Sequence, residues 1–228
     1  MRGRVMREGR GPSRGRAFTL ALVLSAAAVA SACGAPRVPM RESTRSFTAN
    51  DYGGIYGRWT RSADDFEFGR LSEVLHVTAT FESWEFRWAY VVRYAQDHSF
   101  TTEERTRLLE ESLADARDRH RFFVTIAAPL WRDSDLTGRQ SDIRVLLVDS
   151  TGRQVEPVEL TRVDRPSADQ RAYFPSIHRQ RMTFRIAFPT TSSDGTPTIP
   201  PDAEHVVLRF AGSAGIVDLK WELERPST

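Results

Sequence analysis

Cysteine is nearly absent from this chain, since Cys33 is the only one among 228 residues. An intrachain disulfide needs two cysteines, so packing and hydrogen bonds must hold the fold together. After residue 33 the sequence also lacks a glycine-rich phosphate loop and a Gly-x-Ser-x-Gly nucleophile turn. The sequence therefore carries no motif of a nucleotide-binding enzyme or a serine hydrolase, and we predict no catalytic residues and no cofactor.

Metal-binding motifs are equally scarce. The histidines do not stand at the spacings of metal ligands; they are His76, His98, His120, His178 and His205. Residues 133–138 are similar to the start of a calcium loop, but Arg144 occupies the position of its bidentate acid. We interpret these residues as a polar loop and predict no metal site.

The first 32 residues have the composition of a secretory signal. Six arginines precede a short apolar stretch at residues 17–30, and small residues follow it. The apolar stretch is shorter than the about 20 residues that a membrane-spanning helix needs. We therefore predict a signal peptide at residues 1–32 and not a transmembrane anchor.

Cys33 directly follows this segment, in the order Ala30-Ser31-Ala32-Cys33. This arrangement resembles the signal peptide and lipobox of bacterial lipoproteins. The resemblance implies cleavage before Cys33 and attachment of a lipid to its thiol, so Cys33 is the predicted lipidation site. Ala30 and Ala32 also satisfy the rule for ordinary signal cleavage, which leaves secretion with a free Cys33 as an alternative.

The predicted location is the bacterial cell envelope. Gly34 stands where an aspartate would resemble the inner-membrane retention signal of enteric bacteria, so the outer membrane is favoured over the inner one. Six of the 32 basic residues and one of the 30 acidic residues precede Cys33, which leaves 26 basic and 29 acidic side chains and a formal charge of −3. Such a domain gives no electrostatic reason to expect nucleic acid. The predicted partners are the membrane, through the lipid, and a protein of the envelope.

Alternation of apolar and polar residues dominates the rest of the chain and predicts strands. The seven candidate segments are residues 75–81, 122–126, 143–148, 155–163, 182–188, 206–210 and 217–223. Strands with one apolar face bury it when they form two sheets that pack face to face. We therefore predict a mostly β fold, an antiparallel immunoglobulin-like β-sandwich of about seven strands. Its predicted core is Phe122, Val124, Phe184, Ile186, Leu208, Phe210, Leu219 and Trp221.

One segment breaks the alternation and predicts a helical hairpin inserted at residues 84–119. The second of its two helices, at residues 102–119, begins with a capping box formed by Thr101 and Glu104. The domain as a whole is expected at residues 47–228, behind a flexible tether at residues 33–46 that contains two prolines. Residues 51–70 are interpreted as an irregular lead-in packed on that domain.

The first helix of the hairpin carries two apolar stripes. Trp84, Trp88, Val91 and Ala95 form one stripe, and Phe86, Tyr90 and Tyr94 form the other. A helix that is apolar on two sides is either covered twice or presents one side to a partner. We predict Phe86, Tyr90 and Tyr94 as partner-binding residues, with the alternative that the partner helix or the lead-in covers them.

These features predict a non-enzymatic binding or assembly module of the cell envelope. The alternative is an exported enzyme or small-ligand-binding protein with a site in strand-end loops, formed by residues 131–140 and 190–201. A basic cluster of His178, Arg179, Arg181 and Arg185 is interpreted as the solvated face of one strand.

The lipid anchor gives a direct test. Cys33→Ala removes the only thiol and should release the protein from membranes or block its maturation, as fractionation and the mass of the N-terminus will report. A variant that stays membrane-bound with unchanged processing contradicts the lipidation.

Overall fold

Two antiparallel sheets form the framework of the protein. The computed structural model describes residues 36–67, 72–129, 134–138, 141, 143–212 and 215–225. Within these ranges it contains nine strands and four α-helices. The signal segment and Cys33 lie outside the described residues. Among the residues described, no helix has the length and apolar composition needed to cross a membrane.

The larger sheet contains five strands in the order β1-β2-β3-β7-β6. Its strands are β1 at Thr60–Glu67, β2 at Ser72–Phe81, β3 at Arg119–Ala127, β6 at Glu159–Arg162 and β7 at Met182–Pro189. Every neighbouring pair is antiparallel. In the central pair, Phe122 lies opposite Ile186 and Val124 lies opposite Phe184, so both strands direct the same apolar set to one face.

The smaller sheet has the order β5-β4-β8-β9 and packs its apolar face on the larger one. Its strands are β4 at Arg144–Asp149, β5 at Gln154–Val155, β8 at His205–Gly212 and β9 at Gly215–Glu222. Phe81 stacks on Phe122 with ring centroids 4.5 Å apart, and Trp221 of the smaller sheet lies 5.5 Å from Phe122. The eight predicted core residues are all at most 1% exposed, which confirms the core assignment.

Four helices complete the fold. They are α1 at Tyr52–Trp59, after a short 3-10 helix at Ala49–Asp51, then α2 at Trp84–Asp97, α3 at Thr102–Asp118 and α4 at Ala168–Tyr173. The capping box at the start of α3 is confirmed: Thr101 Oγ1 accepts from the Glu104 amide at 3.2 Å, and Glu104 Oε2 accepts from the Thr101 amide at 2.8 Å. Helices α2 and α3 form the predicted hairpin between β2 and β3.

The structure differs from the expected strand pattern in two places. The lead-in is regular, because it forms α1 and then β1, whose Thr60 and Ser62 hydroxyls meet those of Thr80 and Thr78 across the strand pair. The single strand expected at residues 155–163 divides into β5 and β6, which belong to different sheets. Pro157 lies between them, and its missing amide proton prevents continued pairing in one ladder.

Part of the predicted tether is packed against the domain. Val38 is fully buried, its amide donates to Glu222 O at 2.9 Å, and its carbonyl accepts from the Glu224 amide at 3.0 Å. Farther along, Glu42 forms two hydrogen bonds with Arg117 at the end of α3. An apolar residue with a backbone partner on both sides cannot act as free linker, so the chain is packed on the domain at Val38, within the segment expected to be flexible.

Phe184 tests the core assignment. Phe184→Ala leaves a cavity between the two sheets, and we expect the free energy of unfolding to fall by about 3–5 kcal/mol. Ile216→Ala on β9 is the matched control, since Ile216 is 60% exposed and surface truncations change stability by about 0.5 kcal/mol or less. Urea unfolding of the three proteins measures both values. Equal midpoints for the wild type and Phe184→Ala would contradict the packing.

Candidate functional site

Helix α2 carries the predicted partner-binding residues. Ser83 begins the helix by accepting a hydrogen bond from the Phe86 amide at 3.2 Å. The stripe that begins at Trp84 is covered by the segment before α1, where Phe47 lies 5.6 Å from Trp88 and Pro39 O accepts from the Trp84 indole. The stripe of Phe86, Tyr90 and Tyr94 therefore lies on a different side of the helix.

Phe86 is 2% exposed and cannot contact a partner in this structure. Its selection as a partner-binding residue was wrong, because Tyr52 of α1 and Phe174 after α4 cover it, with ring centroids at 5.9 and 5.8 Å. Tyr90 and Tyr94 are half-buried and stack along the helix with centroids 5.8 Å apart. The lead-in covers part of the stripe, as the alternative interpretation expected. It covers Phe86 completely and leaves Tyr90 and Tyr94 partly exposed.

The second covering element is Tyr173 with Phe174, which no pattern in the sequence indicates. Tyr173 contacts Tyr90 edge-on at 5.1 Å, and Phe174 stacks on Phe123 of β3 at 3.9 Å. The Tyr52 hydroxyl donates to Tyr173 O at 2.6 Å. No local signal marks these contacts, since they join segments about 50 to 120 residues apart in the chain.

The stripe continues beyond the helix to the hairpin turn. Ser99 adopts a left-handed conformation with φ 55°, and the Phe100 amide then donates to Ala95 O at 2.8 Å. This is a Schellman-type helix end, in which the residue after the left-handed one packs back on the last turn. Phe100 accordingly lies 5.6 Å from Tyr94, and His98 lies 4.2 Å from it. An apolar residue three positions after the last helical residue, Asp97, was the available sequence signal for Phe100.

These rings form a partly exposed strip that we call the aromatic surface: Tyr90, Tyr94, His98 and Phe100. Phe100 is 37% exposed, and His98 is exposed as well. Large hydrophobic side chains are otherwise well covered in the described residues, with Val158 and Ile216 as the remaining exposed examples. The concentration of rings on one side of the hairpin distinguishes this surface from those isolated residues.

The phenols of Tyr52, Tyr90 and Tyr173 are neutral, and the carboxylate of Asp97 lies beside them. Burial raises the pKa of Tyr90 to about 12, with a further contribution from Tyr94, and burial also raises the pKa of Tyr52 and Tyr173. Asp97 accepts from Arg93 at 2.8 Å and from the Tyr173 hydroxyl at 2.9 Å, and these donors lower its pKa. These side chains therefore offer ring faces and neutral hydroxyls, which suit binding better than nucleophilic chemistry.

Partly buried ion pairs hold the hairpin in place. Glu85 is 1% exposed and accepts from Trp59 Nε1 at 2.7 Å and Arg58 Nη1 at 2.9 Å. On the other side of α2, Arg87 lies 2.7 Å from Asp115 of α3, which also pairs with Arg121 of β3. Helix α2 is thus tied to α1, to α3 and to the larger sheet, so the aromatic surface stands on a fixed support.

The described residues of the two loops proposed for an alternative site lie near opposite ends of β7. Thr190 is anchored to Asp118 O at 3.2 Å, beside the start of β3. Asp135 of the other loop contacts Arg162, which pairs with Phe184 near the opposite end of β7. Strands rise about 3.4 Å per residue, so Phe184 and Thr190 stand about 20 Å apart along the strand. Trp131 and Gln140 lie outside the described residues.

The remaining sequence candidates are distributed over the surface. Asp135 accepts hydrogen bonds from the amide and hydroxyl of Thr137, and in the described ranges no three His, Cys, Asp or Glu side chains converge as metal ligands. The basic cluster does not form one strand face. His178, Arg179 and Arg181 precede β7 and line a cleft, whereas Arg185 lies on β7 outside it.

Comparisons with known proteins add little. No protein-family model matches the chain, and no curated protein sequence matches it. Among solved structures, a protein of unknown function from Burkholderia pseudomallei is similar over 80% of this chain and 93% of its own, with 11% identity and a TM-score of 0.38. Similarity at this level carries no functional information.

Substitutions of Tyr173 test how the aromatic surface is held in place. Tyr173→Ala removes a ring that is 6% exposed and should lower the free energy of unfolding by about 3–5 kcal/mol. Tyr173→Phe keeps the ring and loses the hydrogen bond to Asp97, which should cost about 1 kcal/mol. Chemical denaturation of both variants distinguishes the two contributions. A Tyr173→Ala protein as stable as the wild type would show that this ring does not support the surface.

Proposed function

We propose that this protein is a lipid-anchored lipoprotein of the bacterial cell envelope, and that its sandwich domain binds an envelope protein through the aromatic surface. The observation that carries the binding role is the run of half-buried and exposed rings from Tyr90 to Phe100 on a fixed helix. Tyrosine and other aromatic residues are enriched among the anchors of protein interfaces because they bury much area with few rotatable bonds.

We further propose that the sandwich is of the immunoglobulin-like type. Without β1, the sheets have the orders β2-β3-β7-β6 and β5-β4-β8-β9. Lettered in chain order from β2, these are A-B-E-D and C′-C-F-G, which agrees with the sheet composition of immunoglobulin-like domains. In this scheme the helical hairpin is an insertion between strands A and B. Most connections in compact domains have about 4–6 residues, so an insertion of this size favours a functional role for the hairpin.

The lipid anchor rests on the signal-like segment and on the position of Cys33 after it. Five residues of chain join Cys33 to the buried Val38, and a fully extended chain of that length spans at most about 18 Å. A lipid on Cys33 would therefore keep Val38 close to the membrane surface. The proposed partner is accordingly a protein within or next to that membrane, with the outer membrane favoured because Gly34 follows the cysteine.

A photo-crosslinking amino acid tests the binding role in cells. Placed at Phe100, it should capture a discrete envelope protein. Placed at Ile216, which is also exposed but lies on β9, it should not. Tyr94→Ala combined with the probe at position 100 should weaken capture about tenfold, the scale expected for an interface anchor. Equal capture at both positions, or no capture at position 100, would contradict the proposed surface.

A further inference from the structure

A basic cleft lies in the connection between β6 and β7, apart from the aromatic surface. Its volume is about 360 Å³, within the range of small-ligand sites. The end of β6, helix α4 and the turn before β7 form its walls. Four arginines, Arg162, Arg171, Arg179 and Arg181, line it together with His178, and one carboxylate, Asp164, is present among them.

Most of these arginines are held in position by other groups. Arg162 Nε lies 2.7 Å from Asp164, and Arg162 Nη1 lies 3.2 Å from Asp135. Arg181 donates to Thr78 Oγ1 at 3.2 Å, and Arg171 donates to Pro166 O. These contacts use one or two of the five N–H donors of each guanidinium, so further donors remain for a ligand.

The cleft has an excess of positive charge. Asp164 and Asp135 together balance two of the four arginines at most, and both contact the same one, Arg162. Within the described part of the chain, Arg179 forms no ion pair with a carboxylate. Clustered guanidinium groups without matching carboxylates repel one another, and a bound anion relieves that repulsion.

The placement of the arginines around the cleft favours a tetrahedral anion. They come from three segments, namely β6, α4 and the turn before β7. A carboxylate accepts from such donors mainly in one plane, whereas the oxygens of a phosphate group point in several directions. Guanidinium groups also match phosphate oxygens in pairs, and arginine clusters are a recurring means of phosphate recognition.

We propose that this cleft binds the phosphate group of a small molecule or of a lipid headgroup, through Arg162, Arg171, Arg179 and Arg181. The site is independent of the proposed partner-binding role, because none of its lining residues belongs to the aromatic surface. Arg179 and Arg181 approach from the turn, and Asp164 opposes binding through its negative charge.

Calorimetric titration of the purified protein with inorganic phosphate at constant ionic strength tests the site. The combined change Arg179→Ala and Arg181→Ala should weaken binding about tenfold or more, since hydrogen bonds to a charged group are lost. Asp164→Asn should strengthen it. Arg185→Ala is the matched control, because this neighbouring arginine is exposed on β7 outside the cleft, and it should leave binding unchanged.

Vesicles distinguish the two sources of phosphate. Saturable binding of inorganic phosphate that depends on Arg179 and Arg181 assigns the site to a small phosphorylated molecule. Binding to phosphatidylglycerol vesicles and not to phosphatidylcholine vesicles, with the same dependence and without phosphate binding, assigns it to a lipid headgroup. The proposal is overturned if neither probe binds, or if Arg185→Ala reduces binding as much as the change of Arg179 and Arg181 does.

Discussion

Trp59 connects the layers on which the rest of the structure depends. Its indole N–H donates to the buried carboxylate of Glu85 in α2, and its carbonyl accepts from the indole of Trp221 in the smaller sheet. Its ring packs edge-on against Phe81 of the larger sheet at 5.4 Å. One fully buried residue therefore joins the hairpin, the larger sheet and the smaller sheet. A buried carboxylate is stable only with such donors, so the position of α2 and the position of Trp59 require each other.

Both faces of the larger sheet are covered. The smaller sheet covers its inner face, and the helices and the segment after α4 cover much of the other, where Phe123 stacks on Phe174. Threonines on that outer side are also buried, among them Thr78, Thr80, Thr125 and Thr183. The aromatic surface is the end of this covering layer that remains partly open. The basic cleft borders the same layer through α4, which carries Arg171 on one side and Tyr173 at its end.

The sequence predicted the parts of the fold in which one face of a strand is apolar. Alternation located β2, β3, β7, β8 and β9, because their inward residues differ clearly from their outward neighbours. It missed β1, since Thr60, Arg61 and Ser62 are polar on both faces and pair through hydroxyls. It also gave no reason to bury Phe123, because the outer face of a strand looks exposed until the segment that covers it is known, and for Phe86 it left burial and partner binding as alternatives. The contacts of Tyr173 and the convergence of Arg162 with Arg179 depend on tertiary structure alone.

Oxidative footprinting of side chains would show whether the aromatic surface is occupied in the envelope. Hydroxyl radicals would be applied to the purified protein and to intact cells, and modification of each ring would be measured by mass spectrometry. We expect Tyr94 and Phe100 to be modified in the purified protein and protected in cells, and Ile216 to be modified equally in both. Equal modification of Tyr94 and Phe100 in the two samples would contradict the proposed occupancy.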